Sequence, residues 1–130
     1  MHIPRSTGAA KAIGLVIPDL QGKLDGLAVR VPTPNVSLVD VTYQLRKETT
    51  IEEVHTLLQS ACQKELRGVM DATTKPLVSS DFNGNSHSSV LDLSMTKLIG
   101  GRTLKLLSWY DNEIGFSHRM LDVASLMIKK

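Results

Sequence analysis

Residues 109–115 read W-Y-D-N-E-I-G, a short apolar strand that runs into a polar turn at the start of a helix, and leucines at positions 104, 106 and 107 extend the strand backwards. Asp111 and Asn112 can cap the helix that follows, and Glu113 lies where the helix dipole favours an anion. An Asn at such a corner can also use its side-chain amide to bind an amide of a ligand. Asn112 is therefore a candidate binding residue, with helix capping as the alternative.

The best-marked helix lies between residues 50 and 68. Thr50 and Glu53 have the spacing of a capping box, and Gly68 is placed for a left-handed stop at the C-terminal end. The apolar residues between them recur at helical spacing and form one stripe: Ile51, Val54, Leu57, Leu58, Ala61 and Leu66. The pattern predicts an amphipathic helix with one buried face.

Several short strands surround this helix. Apolar and polar residues alternate strictly over residues 39–46, which predicts a half-buried antiparallel strand. Shorter strands are predicted at residues 69–72, 77–82, 90–93 and 104–109, and a final helix carries an apolar stripe of Met120, Val123, Ala124 and Met127. Helices on one side of a mostly antiparallel sheet make an α+β domain.

The N-terminal region contains a candidate anion site. Ser6 or Thr7 can cap a helix that reaches about Ile17, and a strand follows at residues 27–31. Free N–H groups at the helix start favour an anion, and Gly8 lets a phosphate approach the backbone. Arg30 could add a bidentate contact if the fold brings it beside the helix start. The alternatives are an ordinary cap and a surface salt bridge.

These stretches together resemble phosphorylating glyceraldehyde-3-phosphate dehydrogenases. Ser6–Ala12 (S-T-G-A-A-K-A), Val29–Asn35 (V-R-V-P-T-P-N) and the W-Y-D-N-E-I-G stretch look like family signatures in the family's order, with weaker support from Ser80–Asn85 and Ser88–Asp92. The resemblance runs from about Ile3 to Lys130 and covers only the C-terminal, catalytic domain. It implies an α+β fold with a mostly antiparallel mixed sheet and helices packed on one face.

The resemblance also implies roles for individual residues. The family's matching residues line the sites for inorganic phosphate and the substrate phosphate at Thr7, Gly8 and Arg30. The residue matching Asn112 holds the nicotinamide carboxamide of NAD. Phe116 stands where the family usually has Tyr, so a hydroxyl near the nicotinamide is missing.

The catalytic groups of the family are not found in these residues. Cys62 lies on the capped helix, where an inert thiol is the favoured interpretation, and its context A-C-Q-K does not resemble the family's C-T-T-N nucleophile. No H-A-Y-T stretch and no G-x-G-x-x-G after a strand occurs, and His, Cys, Asp and Glu show no metal-site spacing. We therefore expect no catalytic residue here and a C-terminal fragment that is inactive alone. A fragment of an erythrose-4-phosphate dehydrogenase and a non-catalytic phosphate-binding or subunit-packing module remain alternatives.

Composition restricts the remaining possibilities. The 130 residues fit a single domain, 1–130, with 42% hydrophobic and 22% charged residues and a net charge of +2. No basic run with interleaved aromatics favours nucleic acid, and no apolar run is long enough to span a membrane. The N-terminus lacks a signal-peptide core and the single cysteine suits a reducing compartment, so a cytoplasmic location is expected. The expected partners are a phosphate or sugar-phosphate anion and, by resemblance, the dinucleotide-binding half or sibling subunits of a homotetramer.

Overall fold

The computed structural model describes residues 2–129, apart from the side chain of Ala10. Met1 and Lys130, the ends of the predicted domain, lie outside the described residues. The chain forms two compact units, Met1–Pro34 and Asn35–Lys130. The sequence analysis treats them as one domain, and that assignment stays a prediction.

The first unit is a two-stranded antiparallel sheet with a helix between its strands. Strand β1 (Ile3–Ser6) pairs with β2 (Leu27–Arg30), and helix α1 (Ala9–Val16) followed by a 3-10 turn at Pro18–Leu20 connects them. The predicted helix end near Ile17 is confirmed. Its start is one or two residues later than predicted, since Gly8 rather than Ser6 or Thr7 occupies the N-cap.

The second unit contains a five-stranded sheet and two helices. The strand order is β3 (Ser37–Gln44), β7 (Thr103–Tyr110), β5 (Ser89–Asp92) and β4 (Met70–Thr73), with β6 (Lys97–Ile99) paired to β7. Only β4 and β5 pair in parallel. Helices α2 (Ile51–Gln63) and α3 (Ile114–Ile128) complete the unit. The α+β class with a mostly antiparallel mixed sheet is confirmed.

Two apolar clusters form the core of the second unit, and β7 contributes to both. Val54 of α2 packs with Leu104 and Leu106, whereas Trp109 packs with the cluster of Val36, Phe82 and Val90. Because side chains alternate along a strand, these clusters lie on opposite faces of β7. The rings of Phe82 and Trp109 are stacked with centroids 5.4 Å apart.

The predicted capping box is confirmed at the start of α2. The Thr50 hydroxyl accepts a hydrogen bond from the Glu53 N–H at 3.2 Å, and the Glu53 carboxylate accepts one from the Thr50 N–H at 3.1 Å. Gly68 has the predicted left-handed backbone, with φ at +77°. The regular helix nevertheless ends earlier, at Gln63, and a series of turns leads to Gly68.

The strand predictions are wrong at one place and incomplete at others. The predicted strand at 77–82 is a 3-10 turn over Ser79–Phe82, because the Asp81 carboxylate accepts a hydrogen bond from the Val78 N–H at 2.8 Å and closes a local turn. Strands β1 and β6 are not predicted from the sequence. Strand β3 lies at the edge of the sheet, and Val39 and Tyr43 keep about two-fifths of their surface exposed.

Candidate functional site

The corner between β7 and α3 is organised by one buried carboxylate. Asp111 is only 1% exposed. Its Oδ1 atom accepts hydrogen bonds from the backbone N–H groups of Glu113 at 2.9 Å and Ile114 at 3.1 Å. Its Oδ2 atom accepts from the Asn35 side-chain amide at 2.9 Å and from the Gly84 N–H at 3.0 Å. The N-cap position of α3 is Glu113 rather than the predicted Asp111 or Asn112. Asp111, two residues earlier, accepts from the N–H groups at the helix start and also connects two distant loops to it.

The pKa of Asp111 follows from these contacts. The N–H groups of Gly84 and Ile114 hold the pKa of the carboxyl below its ordinary value, and those of Glu113 and Asn35 add to the effect. Burial acts in the opposite direction but does not prevail. The carboxylate is therefore ionised throughout the neutral range.

Asn112 follows Asp111 directly and is exposed. Its side-chain amide makes no hydrogen bond with any residue in the described range 2–129, so both its donor and its acceptor are available to a ligand. The backbone on either side is held by the Asp111 contacts. The sequence left helix capping and ligand contact as the two possibilities for this Asn; the N-cap position is Glu113, and the N–H groups at the helix start donate to Asp111 rather than to Asn112.

The loop that carries Asn35 has an unusual backbone. Val36, the next residue, has φ at +67°, a conformation that β-branched residues rarely adopt, and its side chain is buried. Gly84 also has a positive φ, +79°, where glycine is favoured. The sequence analysis did not single out Asn35 or Gly84 as site residues, although both fall in stretches that carry the family resemblance. A hydrogen bond between residues 76 positions apart leaves no local pattern to find.

Phe116 lies in the first turn of α3 and is 65% exposed. Its ring is available for an apolar contact close in sequence to Asn112. A phenylalanine cannot donate or accept a hydrogen bond through its side chain, so any contact here depends on the ring alone.

The candidate anion residues all lie in the first unit. Gly8 is the N-cap of α1, and an added Cβ there would meet nothing within 4 Å, so its surroundings are open. The Thr7 hydroxyl accepts a hydrogen bond from the Ala9 N–H at 3.2 Å. Arg30 of β2 pairs with Ile3 of β1, whereas Ser6, next to Thr7, pairs with Leu27. The backbone of Arg30 is thus three residue steps, about 10 Å, along β1 from Ser6, and Thr7 and Gly8 follow Ser6, so only the Arg30 side chain could reach an anion there.

The other candidate reactive groups have local partners. Burial raises the pKa of the Cys62 thiol, and the negative charge of Asp71 raises it further, which are the conditions of an unreactive thiol. Each histidine from 55 onward has a ring nitrogen near an oxygen: His55 near Thr96 Oγ1 at 2.9 Å, His87 near Asn85 Oδ1 at 2.9 Å and His118 near the Ile114 carbonyl at 3.0 Å. Within the described part of the chain, no cluster of three or more His, Cys, Asp or Glu residues could hold a metal ion. No helix in that part is long and apolar enough to cross a membrane.

Comparison with known proteins gives a consistent result. The family model for the glyceraldehyde 3-phosphate dehydrogenase C-terminal domain matches residues 2–112. Glyceraldehyde-3-phosphate dehydrogenase of Cereibacter sphaeroides is 55% identical over 125 residues, which are 96% of this chain and 38% of the relative. The Geobacillus stearothermophilus enzyme is 52% identical over 128 residues, 98% of this chain and 38% of that protein.

The chromosomal enzyme of Cupriavidus necator is 56% identical over 122 residues, covering 94% of this chain and 36% of the relative. The chain therefore spans less than two-fifths of the length of these relatives. The α+β fold and the match over most of the described residues agree with the similarity of the signature stretches. The chain belongs to the glyceraldehyde 3-phosphate dehydrogenase C-terminal domain family.

Proposed function

We propose that this chain acts as the C-terminal domain of an NAD-dependent glyceraldehyde-3-phosphate dehydrogenase of glycolysis, in which it orients the cofactor and binds phosphate groups. The observation that carries the proposal is the exposed Asn112 amide on a corner held by a buried carboxylate. The names of the relatives supply the reaction class.

Asn112 suits the nicotinamide carboxamide because both groups are primary amides. Each offers a donor N–H and an acceptor oxygen, so one carboxamide can receive and donate a hydrogen bond at the same Asn. A hydrogen bond of this kind contributes only about 0.5–1.5 kcal/mol net. The contact therefore orients the nicotinamide ring more than it adds to affinity, and most of the binding energy for NAD has to come from residues outside this chain.

The phosphate contacts are proposed for Thr7, Gly8 and Arg30. The open surroundings of Gly8 and its position at the N-terminal end of α1 support this assignment. Arg30 would contribute through its side chain, which would have to extend along β1 from Ile3 towards Ser6. The same anion site would accept inorganic phosphate or the phosphate of a sugar phosphate.

The 130 residues supply positioning groups but no catalytic thiol. Cys62 is the single cysteine, and its raised pKa opposes thiolate formation. In the family reaction implied by the resemblance, a cysteine forms the thiohemiacetal and a histidine accepts its proton. We therefore expect the chain by itself to be inactive, with those groups supplied by other protein.

An exposed apolar face on α3 supports a protein partner. Its large apolar side chains all keep more than half of their surface exposed from the second turn onward: Met120, Leu121, Val123, Leu126, Met127 and Ile128. Monomeric soluble proteins rarely leave such a contiguous patch uncovered. We propose that a dinucleotide-binding half or a sibling subunit covers it, within an assembly located in the cytoplasm.

Reconstitution tests the proposed function. The chain is mixed with the separately produced N-terminal remainder of the Geobacillus stearothermophilus relative, and NADH formation from glyceraldehyde 3-phosphate and phosphate is followed. Each part alone should give the background rate, and the mixture should turn over. Asn112→Ala should raise the KM for NAD about tenfold, which corresponds to 1.4 kcal/mol. Asn83→Ala, at another exposed Asn, should leave it unchanged.

Two results would contradict the proposal. The first is turnover by the chain alone that persists in Cys62→Ser, because it would require a catalytic group that we have not identified. The second is a reconstituted enzyme in which Asn112→Ala and Asn83→Ala have the same KM for NAD.

Sedimentation velocity at several concentrations tests the partner assignment. The chain alone should self-associate in the micromolar range through α3, and Leu121→Glu with Met127→Glu should shift it towards monomer. A parent chain that is monomeric throughout would count against a covered face.

A further inference from the structure

We propose that Asp111 is a positioning residue, whose buried carboxylate fixes the backbone at Asn112 so that the Asn112 amide is presented before any cofactor arrives. This inference rests on the proposed contact between Asn112 and the nicotinamide carboxamide. It adds a residue that the sequence indicated only as a helix cap.

The contacts of the carboxylate show why it does not bind a ligand itself. Two oxygens accept four hydrogen bonds between 2.9 and 3.1 Å, and the side chain is 1% exposed. Three of the four donors are backbone N–H groups, so Asp111 controls the path of the chain rather than the position of one neighbour. Two of them, Glu113 and Ile114, follow Asn112 directly.

The other two donors connect this corner to the core. The Asn35 amide precedes Val36, whose buried side chain packs with Phe82 and Val90 despite its positive φ. A strained conformation of this kind persists only where the surroundings hold it firmly. Gly84 follows Phe82 by two residues and offers its N–H from a left-handed turn. Asp111 therefore ties the exposed Asn112 to two loops that are anchored in one apolar cluster.

A carboxylate is required because all four partners donate. Asparagine has the same shape, but one of its two terminal groups is an NH₂ that would face N–H donors on one side. The Asn35 amide could rotate to offer its oxygen, but the Gly84 N–H could not. Asp111→Asn should therefore keep the volume of the side chain and lose one half of the network.

The experiment uses the full 130-residue chain labelled with ¹⁵N. Backbone order parameters at Asn112 and Glu113 are measured in the parent, in Asp111→Asn and in Asp92→Asn. Asp92 is the matched control, since its carboxylate is also buried and accepts hydrogen bonds, from Ser94 and Trp109, but none from residues 112–114. We expect values near 0.85 in the parent and in Asp92→Asn, and values below about 0.6 in Asp111→Asn.

Titration with nicotinamide mononucleotide then links this order to binding. The Asn112 side-chain amide signal should move in the parent and in Asp92→Asn. The nicotinamide mononucleotide concentration at the midpoint of the titration should be at least fivefold higher in Asp111→Asn. Asn35→Ala, which removes one of the four hydrogen bonds, should lie between parent and Asp111→Asn. If Asp111→Asn does not fold, Asn35→Ala is the variant that tests the positioning role of Asp111. The double variant Asn35→Asp with Asp111→Asn restores one donor–acceptor pair and should recover part of the loss.

The outcomes separate this inference from the proposed function. Unchanged order at Asn112 in Asp111→Asn, or in Asn35→Ala if Asp111→Asn is unfolded, overturns the positioning role. Reduced order with an unchanged midpoint also overturns it, because the fixed backbone would then not matter for binding. If order falls as expected but the parent amide signal never moves with nicotinamide mononucleotide, the nicotinamide contact fails and the control of the corner by Asp111 stands.

Discussion

The two units of the chain differ in how much apolar surface they bury. All eight buried hydrophobic side chains among the described residues belong to the second unit, 35–130. In the first unit Leu20 and Leu24 are partly buried, and eight other large apolar side chains are at least two-fifths exposed: Ile3, Ile13, Leu15, Val16, Ile17, Leu27, Val29 and Val31. A two-stranded sheet and an eight-residue helix are each marginal in water without such burial.

This difference in buried apolar surface affects the proposed contacts to the nicotinamide and to phosphate. Asn112 lies on a corner that the second unit stabilises through its own buried hydrogen bonds and core. Thr7, Gly8 and Arg30 lie on elements that bury little apolar surface of their own, so we expect their arrangement to be less firmly fixed than that of the Asn112 corner. The nicotinamide contact should therefore be preformed, whereas the phosphate contact should be weak in the isolated chain.

Deleting a core ring is the strongest way to test this difference. Phe82→Ala removes a side chain that is 3% exposed and stacked on Trp109, and should lower the free energy of unfolding by about 3–5 kcal/mol. Leu15→Ala, at a residue that is 82% exposed, should change it by no more than about 0.5 kcal/mol. Urea unfolding followed by Trp109 fluorescence measures both. Equal effects would show that the first unit is packed as well as the second.

The Asp111 network should contribute the next largest effect. Asp111→Asn leaves buried donors unpaired and should cost about 1–3 kcal/mol at pH 7. The folded pKa of Asp111 lies below its ordinary value of 3.8, so its contribution is present above about pH 4 and is lost as the pH falls through the folded pKa. The parent should therefore lose stability towards pH 2 more steeply than Asp111→Asn.

Urea titrations at pH 7, 4 and 2 measure this difference. Other titratable side chains lie on the elements that meet at Asp111, namely Asp81, His87, Glu113 and His118, and they are present in both proteins. Glu53→Gln is the control, because it removes an exposed carboxylate whose pKa is also lowered, by the Thr49 hydroxyl and the Thr50 N–H. If the free energies of unfolding of the parent and Asp111→Asn changed in parallel with pH, the proposed contribution of the Asp111 carboxylate would be contradicted.

The cap of α2 should have a smaller effect. Thr50→Ala removes the hydroxyl that accepts the Glu53 N–H and should destabilise the second unit by about 1 kcal/mol. Thr33→Ala, in an exposed loop of the first unit, should be nearly neutral. The measurement is again urea unfolding, and a loss of stability in Thr33→Ala equal to that in Thr50→Ala would remove the distinction between the units.

The smallest effect is expected at the anion site. Two or three charge-assisted hydrogen bonds, less the cost of association, imply an affinity for phosphate in about the millimolar range. In a phosphate titration the Gly8 amide signal should move in the parent but not in Arg30→Ala. Arg5→Ala is the control, since it removes one charge from the same two-stranded sheet, and its Gly8 signal should move as in the parent. Sulfate should compete. A Gly8 signal that stays still at tens of millimolar phosphate, well above the expected dissociation constant, would leave the first unit without a working site.

Elements with a strong local pattern could be predicted from the sequence. Helix α2 has a capping box and an apolar stripe within one stretch, and strand β7 leads directly into the W-Y-D-N-E-I-G corner. Leu77, Val78 and Phe82 favour a strand, but the Asp81 side chain closes a 3-10 turn at Ser79–Phe82. Strand β6 has only three residues and depends on pairing with β7.

The sequence by itself determined the fold class, the family and the position of the Asn112 corner, since each rests on neighbouring residues whose propensities, spacing and signature stretches act locally. Tertiary structure alone decided which groups stabilise that corner. The bond between Asn35 and Asp111 joins residues 76 positions apart, and Val36 has its positive φ where its side chain packs with Phe82 and Val90. Such features depend on contacts between distant segments, and these contacts exist only after the sheet has formed.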